Sequence, residues 1–394
     1  MKKLLLATAA TALMTGAGFA EDAKIGILLG FTGPLETITP NMAASAELAI
    51  KEVSDSGKFM DGGKVTSVRA DSTCVDAAAA TSAAERLVTV EKINGIMGAD
   101  CSGVTGSVLQ NVARPNGIGM ISPSATSPGL STAESDGLFF RTAPSDARQG
   151  EVIADVLTER GVKSIAISYT NNDYGKGLSD SIEAAFKAKG GTVTANTSHE
   201  DGKADYSAEV ATLAAAGGDV LVVAGYVDQG GTGVIQAALD SGAFSTFYLP
   251  DGMYGDSLIA AIGAGLNGSY GDVPGTDSEG AVKFVEMGKA AGFDPTSSFT
   301  GESYDAAALI MLAMQAAKST NSKDWTTKVL DLANAPGEKI YPGELGKALE
   351  LIAAGTDIDY VGATAVELVG KGESAGNYRE YTVADGKFVT DKFR

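Results

Sequence analysis

The chain has 394 residues, 44% hydrophobic and 20% charged, with a net charge of −19. That length is too great for one ordinary core and fits two domains, and the composition is that of a globular protein. The acidic balance excludes the basic face that nucleic-acid binding requires, and it favours solubility.

The first twenty residues, MKKLLLATAATALMTGAGFA, read as a secretory signal. Lys2 and Lys3 form a basic start, an apolar run begins at Leu4, and Gly18 and Ala20 occupy the −3 and −1 positions of a cleavage site. The mature chain is expected to start near Glu21 in the periplasm. The apolar run is too short for a membrane anchor, no cysteine follows Ala20 for lipid attachment, and no later stretch nears ~18 unbroken apolar residues, so no membrane insertion is expected. Export places the chain in an oxidising compartment. Cys74 and Cys101 are its only cysteines, which predicts one disulfide. Closing that loop stabilises the fold by roughly 3–4 kcal/mol in the chain-entropy picture.

From Lys24 onward, apolar runs of strand length alternate with helix-period stretches. KIGILLG reads as a buried strand, and MAASAELAIKEVSDSG as a helix stopped by Gly57. KVTSVRADST is a strand, and Asp76 caps the helix that follows it. INGIMGA and IGMISPS are strands flanking the helix SGVTGSVLQNVARPNG. The segment FFRTAPSDARQG interrupts the series with turn and polar residues, and a fresh helix is expected over Gln149–Arg160. KSIAISY, TVTANTS, DVLVVAGY and TFYLPDG then alternate with three more helices. A helix-rich block covers Asp277–Gly355, and the C-terminus alternates like a hairpin around Asp385–Gly386.

Continuous apolar strands alternating with helices predict parallel sheets covered on both faces. Two such blocks predict an α/β chain of two doubly wound lobes. In that architecture ligands sit beyond the carboxyl ends of the strands. The residues there are ADCSG, SPSATSPG, YTNNDYG, AGYVDQGG and LPDGMYGD, rich in groups that hydrogen-bond a small zwitterion.

Enzyme motifs fail on context. GAGLNG (Gly263–Gly268) follows a helical segment, where a dinucleotide loop would follow a strand. GDSL (Gly255–Leu258) resembles an esterase block, but the one histidine, His199, precedes Ser257 and sits in a polar stretch that reads as a solvated turn. One histidine and two paired cysteines leave no His/Cys zinc site, so no metal and no cofactor are expected. Trp325 reads as a packing residue. An exported two-lobed chain without catalytic machinery points to a clamp that closes on a ligand.

The fragments KIGILLGFTGP, GADCSG, GMISPSATSPGLS, FFRTAPSDARQG, NNDYGKGL, AGYVDQGG and SYDAAAL, in this order, resemble the type I periplasmic solute-binding proteins of the Leu/Ile/Val class, which serve ABC importers. The resemblance spans the whole mature chain. It implies two lobes, 21–143 plus 275–376 and 144–274 plus 377–394, joined by a three-segment hinge. It implies a Cys74–Cys101 pairing, and a monomer that hands an amino acid to an inner-membrane permease. Ser102 would bind the ligand carboxylate, with Ser124, Ala125 and Thr126 in the neighbouring loop. Tyr174 and Tyr226 would cover the ligand from the second lobe, and Asp251 would meet its ammonium. On the residues alone, strand-end packing for the tyrosines and a turn or cap role for Asp251 are the lesser alternatives.

The loop Leu35–Met42 departs from the family pattern: Glu36 and Pro40 replace a small residue and a glycine. Ile38, with Cys101, is placed at the side-chain pocket. Branched-chain amino acids are the first expectation. Other aliphatic amino acids, short amides or urea, aromatic acids, or a sensory receptor role are alternatives, and an esterase is the weakest.

Overall fold

The computed structural model describes residues 20–394. The expected signal peptide therefore lies outside the described residues, except for Ala20. No helix among the described residues is long and apolar enough to cross a membrane.

The chain first lays down five strands: β1 (Ala23–Leu29), β2 (Val65–Asp71), β3 (Gly95–Gly98), β4 (Met120–Ser122) and β5 (Phe139–Pro144). It then crosses to a second set: β6 (Ser164–Thr170), β7 (Thr192–His199), β8 (Val220–Ala224), β9 (Phe247–Leu249) and β10 (Tyr270–Pro274). After the helices Glu279–Ala291 and Thr300–Ala317 come two small paired strands, β11 (Glu338–Ile340) and β12 (Ile358–Tyr360). The strands β13 (Leu368–Val369) and β14 (Glu373–Ser374) return to the first sheet. The hairpin β15 (Tyr378–Ala384) and β16 (Lys387–Phe393) closes the second.

The first sheet has the order β13-β14-β5-β4-β3-β1-β2 and the second β16-β15-β10-β9-β8-β6-β7. The first five strands of each set pair in parallel in the same order, which makes two doubly wound lobes. The chain passes between the sheets three times: after β5, after β10 and after β14. In each lobe the strand order reverses beside the first strand, β1 or β6. Helices on both sides of the sheet diverge there and leave a crevice at the strands' carboxyl ends.

The central strands are continuously apolar because both faces are covered; every residue of β3, β5 and β8 is buried. The helix Thr300–Ala317 is sheathed by its own lobe and buried over almost its entire length. Trp325 is fully buried and donates its indole N–H to the Asn94 carbonyl at 3.1 Å, as a packing residue with a satisfied polar handle.

Local chemistry sets the helix ends. Asp76 caps its helix by accepting the N–H groups of Ala78 and Ala79 at 2.9 and 3.0 Å. The helix read from Met42 begins at Thr39. Pro40 sits in its first turn, where its missing N–H costs nothing and its fixed φ suits the helix. The helix read from Gln149 begins at Asp146, capped by Ser145. The terminal hairpin turns at Asp385 and Gly386, both with positive φ.

Candidate functional site

The carboxyl ends of the strands beside both crevices bring the sequence candidates together. The ends of β3 and β4 carry Cys101–Ser102 and the loop Ser124–Thr126. The ends of β6, β8 and β9 carry Tyr174, Tyr226 and Asp251 from the other lobe. All are buried. The lobes meet around them: the Ser127–Pro128 turn packs so closely on the helix Asp173–Ala188 that a Cβ on Gly177 would lie 2.8 Å from Pro128.

On the first-lobe side, Cys74 and Cys101 form the expected disulfide, with Cα atoms 5.1 Å apart. The sulfurs are thereby spent, although Asp100 lies close enough to suggest a metal cluster. Asp100 instead ties three strand ends together. Its carboxylate accepts the Gly30 N–H at 2.8 Å and the Ser72 hydroxyl at 2.7 Å. Gly98, just ahead, has φ 135°, and a Cβ there would lie 2.2 Å from the Leu28 carbonyl oxygen. Only glycine fits this approach.

These bonds decide what the candidate groups have left to offer. The Ser102 oxygen accepts the Ser127 N–H at 3.0 Å, so its own proton is free to be donated. Ser124 donates to the Asp100 carbonyl at 3.0 Å and keeps only acceptor capacity. The Ala125 carbonyl already takes Arg141 at 3.0 Å, with one lone pair remaining. Arg141 is itself buried. It also bonds the Ser127 carbonyl, Ser131 and the Glu373 carboxylate, so it holds the whole Ala125–Ser131 loop in shape.

On the second-lobe side the Tyr174 and Tyr226 rings stack, with centroids 5.1 Å apart. The Tyr174 hydroxyl donates to Asp251 Oδ1 at 2.8 Å, and the Gly252 N–H donates to the same oxygen at 2.6 Å. Gly252 is needed because a Cβ would sit 2.8 Å from the Tyr174 hydroxyl and 2.5 Å from the Gly225 carbonyl. Beside the cleft, Ile38 and Val227 are both buried and converge on Gly255.

A second acid joins Asp251, and sequence reasoning missed it. Asp146 is the first helical residue after the crossing from β5 and is wholly buried. Both its carboxylate oxygens, together with Asp251 Oδ2 and Gln149 Oε1, have no hydrogen-bond partner of good geometry, although the Thr126 side chain stands near enough to Asp146 to offset part of the burial. Asp272 on β10 stands close by and is satisfied by Tyr248 at 2.8 Å and Gln149 at 3.2 Å. Burial pushes the Asp251 carboxyl up to about 6 and Asp272 up to about 7. Burial and the charge of Asp251 push Asp146 well above the usual carboxylate range. Buried carboxylates of one sign, short of hydrogen-bond donors, have a strong demand for a cation. The signal available in the sequence was an aspartate directly after a serine cap at a strand's carboxyl end.

The enzyme motifs come apart in space. Ser257 donates to Asp228 at 2.7 Å, whereas His199 shares a 2.8 Å hydrogen bond with Ser168. The expectation that His199 lies in a solvated turn is wrong. It ends β7, is buried, and burial lowers its pKa to about 4, so the ring stays neutral. GAGLNG leads from a helix into β10, the reverse of a dinucleotide loop.

The model of a family described as periplasmic binding protein matches residues 22–334. A Leu/Ile/Val-binding protein homolog 3 of Brucella melitensis is 30% identical over 334 residues, covering 82% of this chain and 87% of that protein. The Leu/Ile/Val-binding protein of Citrobacter freundii is 28% identical, with 77% and 82% covered. Among solved structures, the leucine binding protein LivK of Thermotoga maritima superposes with a TM-score of 0.79 at 20% identity, covering 94% of this chain and 98% of that one, a likeness of fold. With this match over most of its length, the chain belongs to the periplasmic binding protein family and is a solute-binding protein, not an enzyme.

Proposed function

We propose that the protein captures a branched-chain or related aliphatic amino acid between its lobes and delivers it to an ABC importer in the inner membrane. One observation carries this reading: three carboxylate oxygens of Asp146 and Asp251 are buried without partners at the meeting of the lobes. An α-ammonium group supplies three N–H donors and a positive charge. Each charge-assisted bond is worth about 1.5–3 kcal/mol. The free Ser102 proton suits the ligand carboxylate, and Ser124, Ala125 and Thr126 line the same loop. Tyr174 and Tyr226 cover the ligand. The Ile38–Val227 wall around Gly255 supports an apolar side chain. The names of the Brucella and Citrobacter relatives agree with this substrate class.

In this reading, 21–143 plus 275–376 and 144–274 plus 377–394 are the two jaws. The chain works as a monomer, is cleaved after Ala20, and presents its closed form to the permease. Binding shifts an open–closed equilibrium toward closed. The test is a thermal-shift screen followed by calorimetry across leucine, isoleucine, valine, charged amino acids, acetamide, urea and benzoate. A rise in melting temperature confined to branched-chain and similar aliphatic amino acids is expected. If none of them raises it, the substrate assignment is wrong. A rise with amides or benzoate alone would move the site to those ligands.

A further inference from the structure

A second cavity, of about 470 Å³, opens beside the hinge, and none of the cleft residues lines it. Its walls come from both lobes. Val273 on β10 and Arg379 on β15 belong to the second sheet, next to two of the three crossings. Phe284 and Val285 come from the helix Glu279–Ala291, and Phe299 and Glu302 from the start of the helix Thr300–Ala317.

Two polar groups face this apolar chamber with capacity to spare. Arg379 lies with its guanidinium over the Tyr254 ring, 4.9 Å from the centroid. Its Nε is buried without a partner, and an Nη reaches the Thr296 carbonyl only at 3.5 Å. Glu302 lines the same cavity and is 4% exposed. Asp277, Glu286 and Lys289 stand at the solvent-exposed rim.

We propose that this cavity is a second ligand site, taking a short hydrophobic monocarboxylate. The carboxylate would accept N–H groups from the Nη end of the Arg379 guanidinium as a fork, since the one Nη contact the structure gives, to the Thr296 carbonyl, is long at 3.5 Å. The aliphatic or aromatic body would lie against Val273, Phe284, Val285 and Phe299. A cavity of this volume, with an apolar wall beside polar groups, is of the size small-molecule sites have. Burial pushes the Glu302 carboxyl up to about 8, so at neutral pH it is mostly uncharged and keeps its proton, offering the ligand a hydrogen bond and no like charge. A simple amine, with no carboxylate for the guanidinium, would place its ammonium beside the Arg379 charge.

Calorimetry with hexanoate on the full mature chain tests the proposal, with hexylamine as control. Saturable hexanoate binding with Kd of about 1 mM or tighter is expected, and none with hexylamine. Arg379→Gln removes the fork and Val285→Trp fills the chamber from the opposite wall. Each should weaken binding by about tenfold or more while melting remains cooperative. Ser102→Ala, a cleft variant, should leave hexanoate binding unchanged. The proposal is overturned if hexanoate gives no saturable heat, if either folded cavity variant binds it as wild type does, or if Ser102→Ala abolishes it. The last result would put hexanoate in the cleft. Failure here leaves the cleft assignment untouched, because that rests on the amino-acid screen.

Discussion

Thr37 and Asp228 join the lobes directly across 191 residues of sequence. The Thr37 N–H donates to the Asp228 carboxylate at 2.9 Å and its hydroxyl at 2.8 Å. The Asp228 N–H returns a bond to the Pro34 carbonyl at 3.1 Å, and Ser257 braces the carboxylate. The unusual Leu35–Met42 loop thus has a partner on the second lobe, and its departure from the family pattern acts on closure as well as on the pocket. These bonds exist only when the lobes meet, so they favour the closed state.

Asp228→Ala should therefore raise the Kd for the cleft ligand by about three- to tenfold, mostly through faster release. The groups are partly exposed, which keeps the effect modest. Stopped-flow release rates with calorimetric Kd values check this. An unchanged release rate would mean the contact does not contribute to closure.

Asp146 and Asp251 should show a trade between function and stability. Asp→Asn at either position removes a buried carboxylate with at least one oxygen that accepts no hydrogen bond. The unliganded protein should gain about 1–3 kcal/mol at pH 8, because an uncompensated charge is no longer buried. Affinity for an amino acid should fall by about 10- to 100-fold, the loss of one charge-assisted bond. Denaturant melts and calorimetry on Asp146→Asn and Asp251→Asn read both effects. A variant that lost stability as well as affinity would assign its aspartate to the fold.

The pH dependence follows from the same pair. With the lobes together and no ligand bound, the Asp251 carboxyl is pushed up to about 6, above its usual value, because of burial. A bound ammonium favours the ionised form and lowers that pKa. Binding must then release a proton below pH 6, and affinity should rise with pH through that window, by up to tenfold per unit for one proton. Asp146 is shifted in the same direction, by burial and the charge of Asp251, and its contribution has the same sign. The stability of the free protein has the opposite slope: the folded state binds more protons, so stability falls as pH climbs from about 4 toward 6. Calorimetry at pH 5.5 in buffers of different ionisation enthalpy reads the released proton. Proton uptake, or binding indifferent to pH, would remove the carboxylates from the site.

Most of the framework was legible because parallel strands buried on both faces must be apolar throughout. The strands from KIGILLG to TFYLPDG all appear, and Ser102, Ser124, Ala125, Thr126, Tyr174, Tyr226 and Asp251 each lie beyond the end of one. What escaped carries polar residues satisfied from far along the chain. The strand β5, FFRTAP, reads as a break because of Arg141, whose partner Glu373 is 232 residues away. The strand β10, YGDVP, contains Asp272, which is satisfied by Tyr248 and Gln149. His199 and Asp146 misled or escaped for the same reason: local polarity cannot tell a buried polar group with a tertiary role from a solvated one.

The Cys74–Cys101 disulfide and Asp100 hold the same loop by different means, and they should separate on mutation. The disulfide closes a loop with a sequence separation of 27 and acts mainly on the unfolded chain. Replacing both cysteines by serine should cost about 3–4 kcal/mol of stability. Asp100 would still bind Gly30 and Ser72 and hold the three strand ends, so Ser102 keeps its place and the cleft Kd should change by less than about tenfold. Asp100→Ala removes that tie and leaves the Gly30 N–H and Ser72 hydroxyl buried without their acceptor. It should weaken ligand binding more than loss of the disulfide does, even with the disulfide formed. Chemical denaturation and calorimetry on both variants measure the contrast. If the double-serine variant lost binding more severely than Asp100→Ala, the disulfide would be what positions Ser102.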